Sequence, residues 1–213
     1  MTAVWHPRPD DQGQPVRLRN PSVPSEPSAW SNTTALARVV PDGPLPAILN
    51  GLPLIPWRQV PENMAAWEAL AATMSIAEPS FNPPKGLKAA AGVVACEPDG
   101  RVWVVAPSNA FGGYQATFPK GRLDGKSLKA TALVETFEET GLQVQLTGFL
   151  VDVPRSSSYT RYFLGQRIGG TPADMGWESQ AVMLVPIAQL PKVVNNESDM
   201  TVIAELLAHK ASA

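Results

Sequence analysis

Proline constrains this chain more than any other residue, because 15 of its 22 prolines fall before Lys85 in a sequence of 213 residues. Proline has no backbone N–H and a fixed φ, so it is disfavoured inside helices and central strands. The crowding therefore predicts that a regular domain begins only at residue 86 and occupies 86–213. Residues 1–29 are rich in Pro, Ser, Gln and Arg and lack hydrophobic periodicity, which predicts a flexible tail.

Residues 30–85 form a second segment, in which apolar side chains lie between the prolines. We predict an ordered Pro-rich arm here, because disordered segments carry few such groups. Residues 62–75 have apolar side chains at helical spacing after Pro61, which predicts a short helix. The arm would pack either against the following domain or against a second subunit, so a homodimer is one of its predicted arrangements.

The segment after the arm has the pattern of a mixed domain. Valine-rich runs at 89–97 and 101–106 flank Pro98-Asp99-Gly100, which is typical of a β-hairpin. Ser127 and Gly141 suit the N-cap and the C-terminal glycine of a helix between them. The predicted strands and helices form an α/β domain with helices against a sheet. The further strands are predicted at 144–152, 160–168 and 181–185, and the helices at 127–140 and 198–210.

Charge and hydropathy exclude some partners. The net charge is −2, which gives no electrostatic basis for nucleic acid or an anionic membrane as the main partner. No apolar run approaches the ~18 residues of a membrane span. The first residues lack the basic and then apolar pattern of a signal peptide, so a cytoplasmic location is expected.

Cysteine and histidine are too scarce for several kinds of catalytic site. Cys96 is the single cysteine, which excludes an internal disulfide framework and a Cys-rich metal site. The two histidines, His6 and His209, lie near the ends, which leaves little for a multi-His zinc site or a Ser-His-Asp triad. An enzyme of this composition would depend on carboxylates.

Carboxylates crowd the end of the predicted helix 127–140. Glu138 and Glu139 follow Glu135 by three and four residues, so all three lie towards one helical face. One interpretation is a solvated acidic face. The other is a site for a hard divalent ion, Mg²⁺ or Mn²⁺, which would relieve the repulsion. Acidic groups near a helix C-terminus also oppose the helix dipole, which favours the second interpretation.

The start of the same helix has a competing interpretation, a phosphate-binding P-loop. Gly125-Lys126-Ser127 matches the end of that motif, which requires four residues between its two glycines. Only three residues separate Gly121 from Gly125, so the motif does not fit.

The run from Gly121 to Leu142 resembles the signature box of the Nudix hydrolases, G-x5-E-x7-R-E-U-x-E-E-x-G-U, where U is a bulky aliphatic residue. The second half fits from Glu135 on, apart from Thr136 at a U position. Phe118-Pro-Lys-Gly-Arg122 is similar to members that act on nucleotide or inositol polyphosphates. The resemblance implies a Nudix-type α/β/α sandwich with a mixed β-sheet, preceded by the Pro-rich arm.

The resemblance also implies an activity. Such enzymes cleave a diphosphate linkage by water attack on phosphorus, and divalent metal ions neutralise the phosphates and activate the water. A small phosphorylated molecule, such as a nucleoside diphosphate-linked or polyphosphorylated compound, is the implied substrate. Glu138 and Glu139 are the implied core metal ligands, and Glu135 is a ligand or the base. The main-chain carbonyl of Lys120 is a further implied ligand, and Lys120 and Arg122 could neutralise phosphate charge.

The first half of the box departs from the family pattern. It is one residue short, Lys126 stands where the box has its first glutamate, and Val134 stands where it has arginine. These departures motivate an alternative hypothesis, a catalytically weakened Nudix-fold protein that binds nucleotides or regulates. The intact glutamates argue for the hydrolase.

Residues outside the box complete the set of candidates. Glu178 lies in a loop before a predicted strand and could be a base or ligand, as loop carboxylates in similar enzymes often are. Arg155 and Arg161 flank a serine-rich turn and could contact a phosphate. Three aromatic residues could stack on a base or pack in the core: Phe111, Tyr114 and Trp177.

Overall fold

The computed structural model describes residues 3–212. The segment before residue 86 contains short elements, whereas the long strands and two long helices come after it. The first segment comprises β1 (Val4–Trp5), β2 (Arg17–Leu18), α1 (Ser28–Ser31), β3 (Ala37–Val39), β4 (Ile48–Leu49), β5 (Leu52–Pro53) and α2 (Met64–Ala72). The second comprises β6 (Lys88–Cys96), β7 (Arg101–Pro107), β8 (Lys120–Arg122), α3 (Leu128–Thr140), β9 (Leu142–Pro154), β10 (Ser158–Gly170), β11 (Ser179–Pro186), α4 (Leu190–Val193) and α5 (Glu197–Ser212).

Within the described residues the main sheet has seven strands and is mixed. Its order is β3-β11-β7-β6-β10-β9, with β8 also paired to β6. The β6–β10 pair is parallel and the other pairs are antiparallel. The register pairs Cys96 with Val102 at the β6–β7 turn and Gly92 with Lys120 farther along. The two strands of this hairpin thus separate, and β6 pairs with the strand that leads to α3.

Helices cover both faces of the sheet, which confirms the predicted α/β/α arrangement. One buried cluster joins the sheet to α3 and the arm, with Val93 and Leu133 among its members. The other joins the opposite face to α5, with Val104 and Leu206 among its members. Alternate residues of β6 face opposite clusters, as the two-residue period of a strand requires.

Local sequence signals set the limits of α3 as predicted. Ser127 caps its N-terminus, where the Ser127 hydroxyl accepts a hydrogen bond from the Ala130 amide at 3.2 Å. Gly141 follows its C-terminus at φ 67°, in the left-handed region. A Cβ on Gly141 would also overlap the Thr171 carbonyl oxygen, so glycine is required there on two grounds.

The flexible tail predicted for the first 29 residues is wrong for the part that the structure describes. Residues 3–29 include the β1–β2 hairpin, and the buried His6 ring nitrogen Nε2 hydrogen-bonds the Ser179 carbonyl at 3.1 Å. Arg8 pairs with both Asp42 and Asp174. Polar tertiary contacts fix this segment, and a search for hydrophobic periodicity cannot detect them.

The arm over residues 30–85 is ordered and packs against its own domain. Helix α2 is shorter than predicted, because the Asn63 side chain caps it by accepting a hydrogen bond from the Ala66 amide. Trp57 and Trp67 contact Phe137 of α3, with ring centroids 5.3 and 6.2 Å away. The arm therefore supports the same helix that carries the glutamates. Among residues 3–212 no helix is both long and apolar enough to cross a bilayer.

Candidate active site

Three carboxylates converge at the C-terminal half of α3. Oxygen atoms of Glu135, Glu139 and Glu178 lie within 4.8 Å of one another. The first two are one helical turn apart, and Glu178 comes from the loop before β11. The structure thus brings a residue from outside the box to two that were predicted from it.

The backbone of β8 lies directly against the carboxylate cluster. A Cβ on Gly121 would overlap the carboxylate of Glu135, so this position leaves room for that side chain. The Lys120 amide donates a hydrogen bond to Glu139 Oε2 at 3.1 Å. These contacts hold the main chain at residues 120–121 against α3, next to the cluster.

Glu138 lies at the edge of this group. It is exposed, and its carboxylate is not one of the three within 4.8 Å. Partial desolvation raises the pKa of its carboxyl, while the Lys126 ammonium lowers it and the Glu178 and Asp11 carboxylates raise it. Lys126, which replaces a family glutamate, therefore lies close enough to Glu138 to act on its charge.

Electrostatics shows that the cluster has excess negative charge. Burial, together with the nearby Glu139 and Glu138 carboxylates, raises the pKa of Glu135 to about 8. Burial also raises the pKa of Glu139, although the Lys120 ammonium opposes the shift. Oxygen donors that are crowded and partly desolvated in this way suit a hard divalent cation. The residues present therefore fit the metal ion that the sequence predicts.

Hydrogen bonds hold the loop that carries Glu178 at several points. The Ser108 amide donates to the Glu178 carbonyl at 2.7 Å, and the Ser108 hydroxyl donates to the Trp177 carbonyl at 2.7 Å. The Gly176 amide donates to the Glu138 carbonyl at 2.7 Å, which joins the loop to the end of α3. The Glu178 side chain stays exposed, yet partial desolvation raises the pKa of its carboxyl.

A model of the NUDIX domain matches residues 86–206, which is more than half of the chain. The chain belongs to the Nudix superfamily. This confirms the resemblance drawn from residues 121–142 and the predicted fold class. Membership makes the protein a Nudix-type pyrophosphohydrolase, a class that acts on small phosphorylated substrates and generally uses divalent metal ions.

Solved structures of similar shape are distant in sequence. A NUDIX hydrolase from Nitrosomonas europaea is 21% identical, with a TM-score of 0.47 over 58% of this chain and 69% of that one. An Ap4A hydrolase from C. elegans is 17% identical, with a TM-score of 0.48 over 58% of this chain and 99% of that one. An ADP-ribose pyrophosphatase from Streptococcus suis is 16% identical, with a TM-score of 0.46 over 57% of this chain and 91% of that one. No curated protein matches the sequence.

Arg155 is not placed as a phosphate ligand in this Nudix fold, which corrects the sequence-based prediction. Its side chain is buried and pairs with the buried Asp199 of α5. Its guanidinium also donates to the hydroxyls of Tyr162, at 2.8 Å, and Tyr114, at 3.1 Å. Lys120 Nζ lies 4.8 Å from the centre of the Tyr114 ring, so Arg155 holds a tyrosine that contacts Lys120.

Arg161 is corrected in the same way. Its side chain is 1% exposed, with two hydrogen bonds to Asp152 at 2.8 and 2.7 Å and one to Glu78 at 3.0 Å. The ring centroids of Phe81 and Phe149 each lie 4.9 Å from the guanidinium carbon of Arg161. Asp152 of β9 and Glu78 of the arm therefore neutralise the Arg161 guanidinium inside the protein.

The remaining basic candidates differ in surroundings. Burial lowers the pKa of the Lys120 ammonium, and the Arg155 charge lowers it further, while Glu139 and Glu135 raise it. Arg122 is exposed on β8, two residues from Lys120. Neither is tested as a phosphate ligand by any contact in the structure, so both stay predictions.

Sequence reasoning missed Asp11. Its Oδ1 accepts a hydrogen bond from Trp177 Nε1 at 2.9 Å, and its charge raises the pKa of both Glu138 and Glu178. This residue lies in the segment that was predicted to be flexible, 110 positions before the box begins at Gly121. No local motif marks it, because its position depends on a contact made only after folding.

Proposed function

We propose that this protein is a divalent-metal-dependent hydrolase of a nucleoside diphosphate-linked or polyphosphorylated compound, with Mg²⁺ or Mn²⁺ as cofactor. The observation that carries the proposal is the convergence of Glu135, Glu139 and Glu178 within 4.8 Å. A solvated acidic face would not hold two half-buried carboxylates against the Lys120–Gly121 backbone.

Glu139, Glu135 and Glu138 are the residues that would hold the metal, with the Lys120 carbonyl as a further ligand. A bound ion would supply neutralisation of phosphate charge and a lower pKa for water. Glu139 suits a fixed ligand, because the Lys120 amide holds its carboxylate in one orientation. Glu178 is exposed and suits the base that takes the proton of the attacking water.

Positive side chains beside the cluster would stabilise the phosphates. Lys120 and Arg122 lie on the same short strand and would neutralise charge that develops on the leaving group. An uncharged Lys120 would be a weaker partner, but an incoming phosphate favours its ammonium form.

An exposed aromatic residue favours a nucleoside-linked substrate. Phe111 is 81% exposed, so it does not pack in the core. Its loop starts at Ser108, which is bonded to the Glu178 loop. An aromatic face in that position could stack on a base, which contributes roughly 1–3 kcal/mol in nucleic-acid complexes.

The test is a hydrolysis screen with product identification, in Mg²⁺ and separately in Mn²⁺. The panel is ADP-ribose, dinucleoside polyphosphates, NADH, nucleoside triphosphates and diphosphoinositol polyphosphates. Glu139→Gln and Glu138→Gln are the test variants, and Glu205→Gln on the exposed face of α5 is the matched control. We expect turnover of one compound class that is lost in Glu139→Gln and on chelation, and retained in the control.

The screen also decides the alternative function. A folded protein that binds Mn²⁺ and phosphorylated ligands but hydrolyses none of them would be a Nudix-fold binding protein. Lys126 and Val134 would then be the substitutions to reverse first. Full activity in Glu139→Gln would contradict the assigned site.

A further inference from the structure

The peptide that carries Glu178 is held by residues far outside the Nudix domain. His6 Nε2 hydrogen-bonds the Ser179 carbonyl at 3.1 Å, and Asp11 Oδ1 accepts from Trp177 Nε1 at 2.9 Å. Glu178 therefore lies between two residues that the N-terminal hairpin, β1–β2 and its connecting turn, holds directly. Both contacts join segments separated by more than 160 positions.

Hydrogen bonds within the hairpin hold its two strands and its turn together. The Asp10 carboxylate accepts hydrogen bonds from the Gln12 and Gln14 amides at 3.0 and 2.8 Å, which fixes the turn containing Asp11. The His6 amide donates to the Val16 carbonyl at 2.8 Å across the hairpin. His6 itself is 5% exposed, so its imidazole is enclosed by its neighbours.

The same hairpin also holds the loop on the other side of Glu178. Asn109 Oδ1 accepts from the Arg19 amide at 2.7 Å, and Asn109 Nδ2 donates to the Arg17 carbonyl at 2.8 Å. Asn109 has φ 57°, in the left-handed region that asparagine adopts more readily than most residues, and these bonds hold its side chain in place. Its neighbour Ser108 makes the two hydrogen bonds to the Glu178 loop.

We infer that the N-terminal hairpin is part of the active site, with Asp11 and His6 as positioning residues that fix Glu178 by clamping Trp177 and Ser179. The inference rests on the proposed function, because it takes Glu178 as a working carboxylate. An exposed side chain on a loop gains alignment only if its backbone is fixed, and a misplacement of about 1 Å can cost roughly 10²-fold in rate. The family domain at 86–206 would thus be catalytically incomplete without residues 4–18.

The test separates the clamp from simple stability. Asp11→Ala removes the acceptor, Trp177→Phe removes the donor, and the double variant removes both. Gln12→Ala is the matched control, because its side chain is exposed in the same turn. For each variant we would measure kcat, KM, Mn²⁺ affinity, and hydrogen exchange of the Trp177 indole N–H and the loop amides in the metal-free protein.

We expect Asp11→Ala and Trp177→Phe each to lower kcat by roughly tenfold, the lower end for supporting residues of a metal site, with KM nearly unchanged. The double variant should lose no more than either single variant, since the two residues form one contact. Asp11→Asn keeps an oxygen acceptor and should recover most of the loss. Loop exchange should accelerate in Asp11→Ala and stay at the original rate in Gln12→Ala.

Two kinds of result would contradict the proposed clamp. Unchanged kcat in Asp11→Ala, or additive losses in the double variant, would overturn the clamp while leaving the hydrolase intact. If the unmodified protein hydrolyses nothing, the proposed function fails, and exchange and Mn²⁺ affinity still decide the clamp. Equal exchange rates in Asp11→Ala and the unmodified protein would refute it in that case.

Discussion

Gly121 shows how the absence of a side chain makes room for a carboxylate cluster. An added Cβ would overlap the carboxylate of Glu135, which would have to leave its present position beside Glu139 and Glu178. We therefore expect Gly121→Ala to weaken Mn²⁺ binding and to lower kcat by roughly 10²-fold, as misplacements of about 1 Å do. Steady-state kinetics and a Mn²⁺ titration measure the two effects.

Gly148→Ala is the control for that variant. Gly148 lies in a strand with nothing within 4 Å of an added Cβ, so the same chemical change should have little effect. Equal activity in Gly121→Ala and Gly148→Ala would mean that Glu135 does not need its observed position.

Glu135 predicts how the metal-free protein responds to pH. Its pKa rises from 4.5 to about 8 on folding, so between these values the folded state holds a proton that the unfolded state has released. The free energy of unfolding should then fall as pH rises through this window. Glu135→Gln should flatten the decline, because its side chain cannot ionise.

Thermal unfolding in a chelator over that pH range measures the effect. Adding Mn²⁺ should reverse the decline in the unmodified protein, since the cation compensates the carboxylate charge. Stability that is independent of pH and of Mn²⁺ between pH 4.5 and about 8 would count against the described cluster.

One buried cation, Arg161 of β10, helps to attach the β9–β10 pair to the arm. Arg161 joins Asp152 of β9 to Glu78 of the arm. Arg161→Met should leave Asp152 with an unpaired, largely buried charge and lower the free energy of unfolding by about 3 kcal/mol. Urea denaturation measures this, and KM should stay the same, because Arg161 is not a phosphate ligand.

A double variant tests the physical reason. Arg161→Met combined with Asp152→Leu removes both charges, so it should recover part of the stability lost in the single variant. A large rise in KM without loss of stability in Arg161→Met would restore the substrate-binding role that the sequence suggested.

Over the whole molecule, the arm and the Nudix domain share one core. Trp57 and Trp67 pack on Phe137 of α3. The ring centroids of Trp30 and of Trp103 in the sheet are 6.2 Å apart. A fragment of residues 86–213 would expose this apolar surface, so we expect it to aggregate or to unfold without cooperativity. Size-exclusion chromatography and circular dichroism, with the full chain alongside, measure the difference.

Cooperative unfolding of that fragment near the midpoint of the full chain would show that the arm is dispensable for folding. The N-terminal clamp could still be needed for activity, because its contacts are polar and lie at the loop of Glu178. The stability of the fragment therefore tests the arm, and its activity tests the N-terminal hairpin.

Interactions between near neighbours in the sequence are enough to predict much of the local structure of the domain. Helix α3 follows from its own cap, glycine and apolar spacing, and the hairpin of β6 and β7 from its turn. The box glutamates were found because residues three and four apart share a helical face. These features depend on interactions between near neighbours, which a sequence pattern records directly.

Contacts between groups far apart in the sequence depend on how the whole chain folds. The sequence showed Arg155 and Arg161 as charges beside a turn, but Asp199, Asp152 and Glu78 neutralise them inside the fold. The role of Asp11 could not be predicted from the sequence, because Asp11 contacts Trp177 across 166 positions. A side chain's role in such cases depends on burial and on partners far along the chain, and neither has a local periodicity.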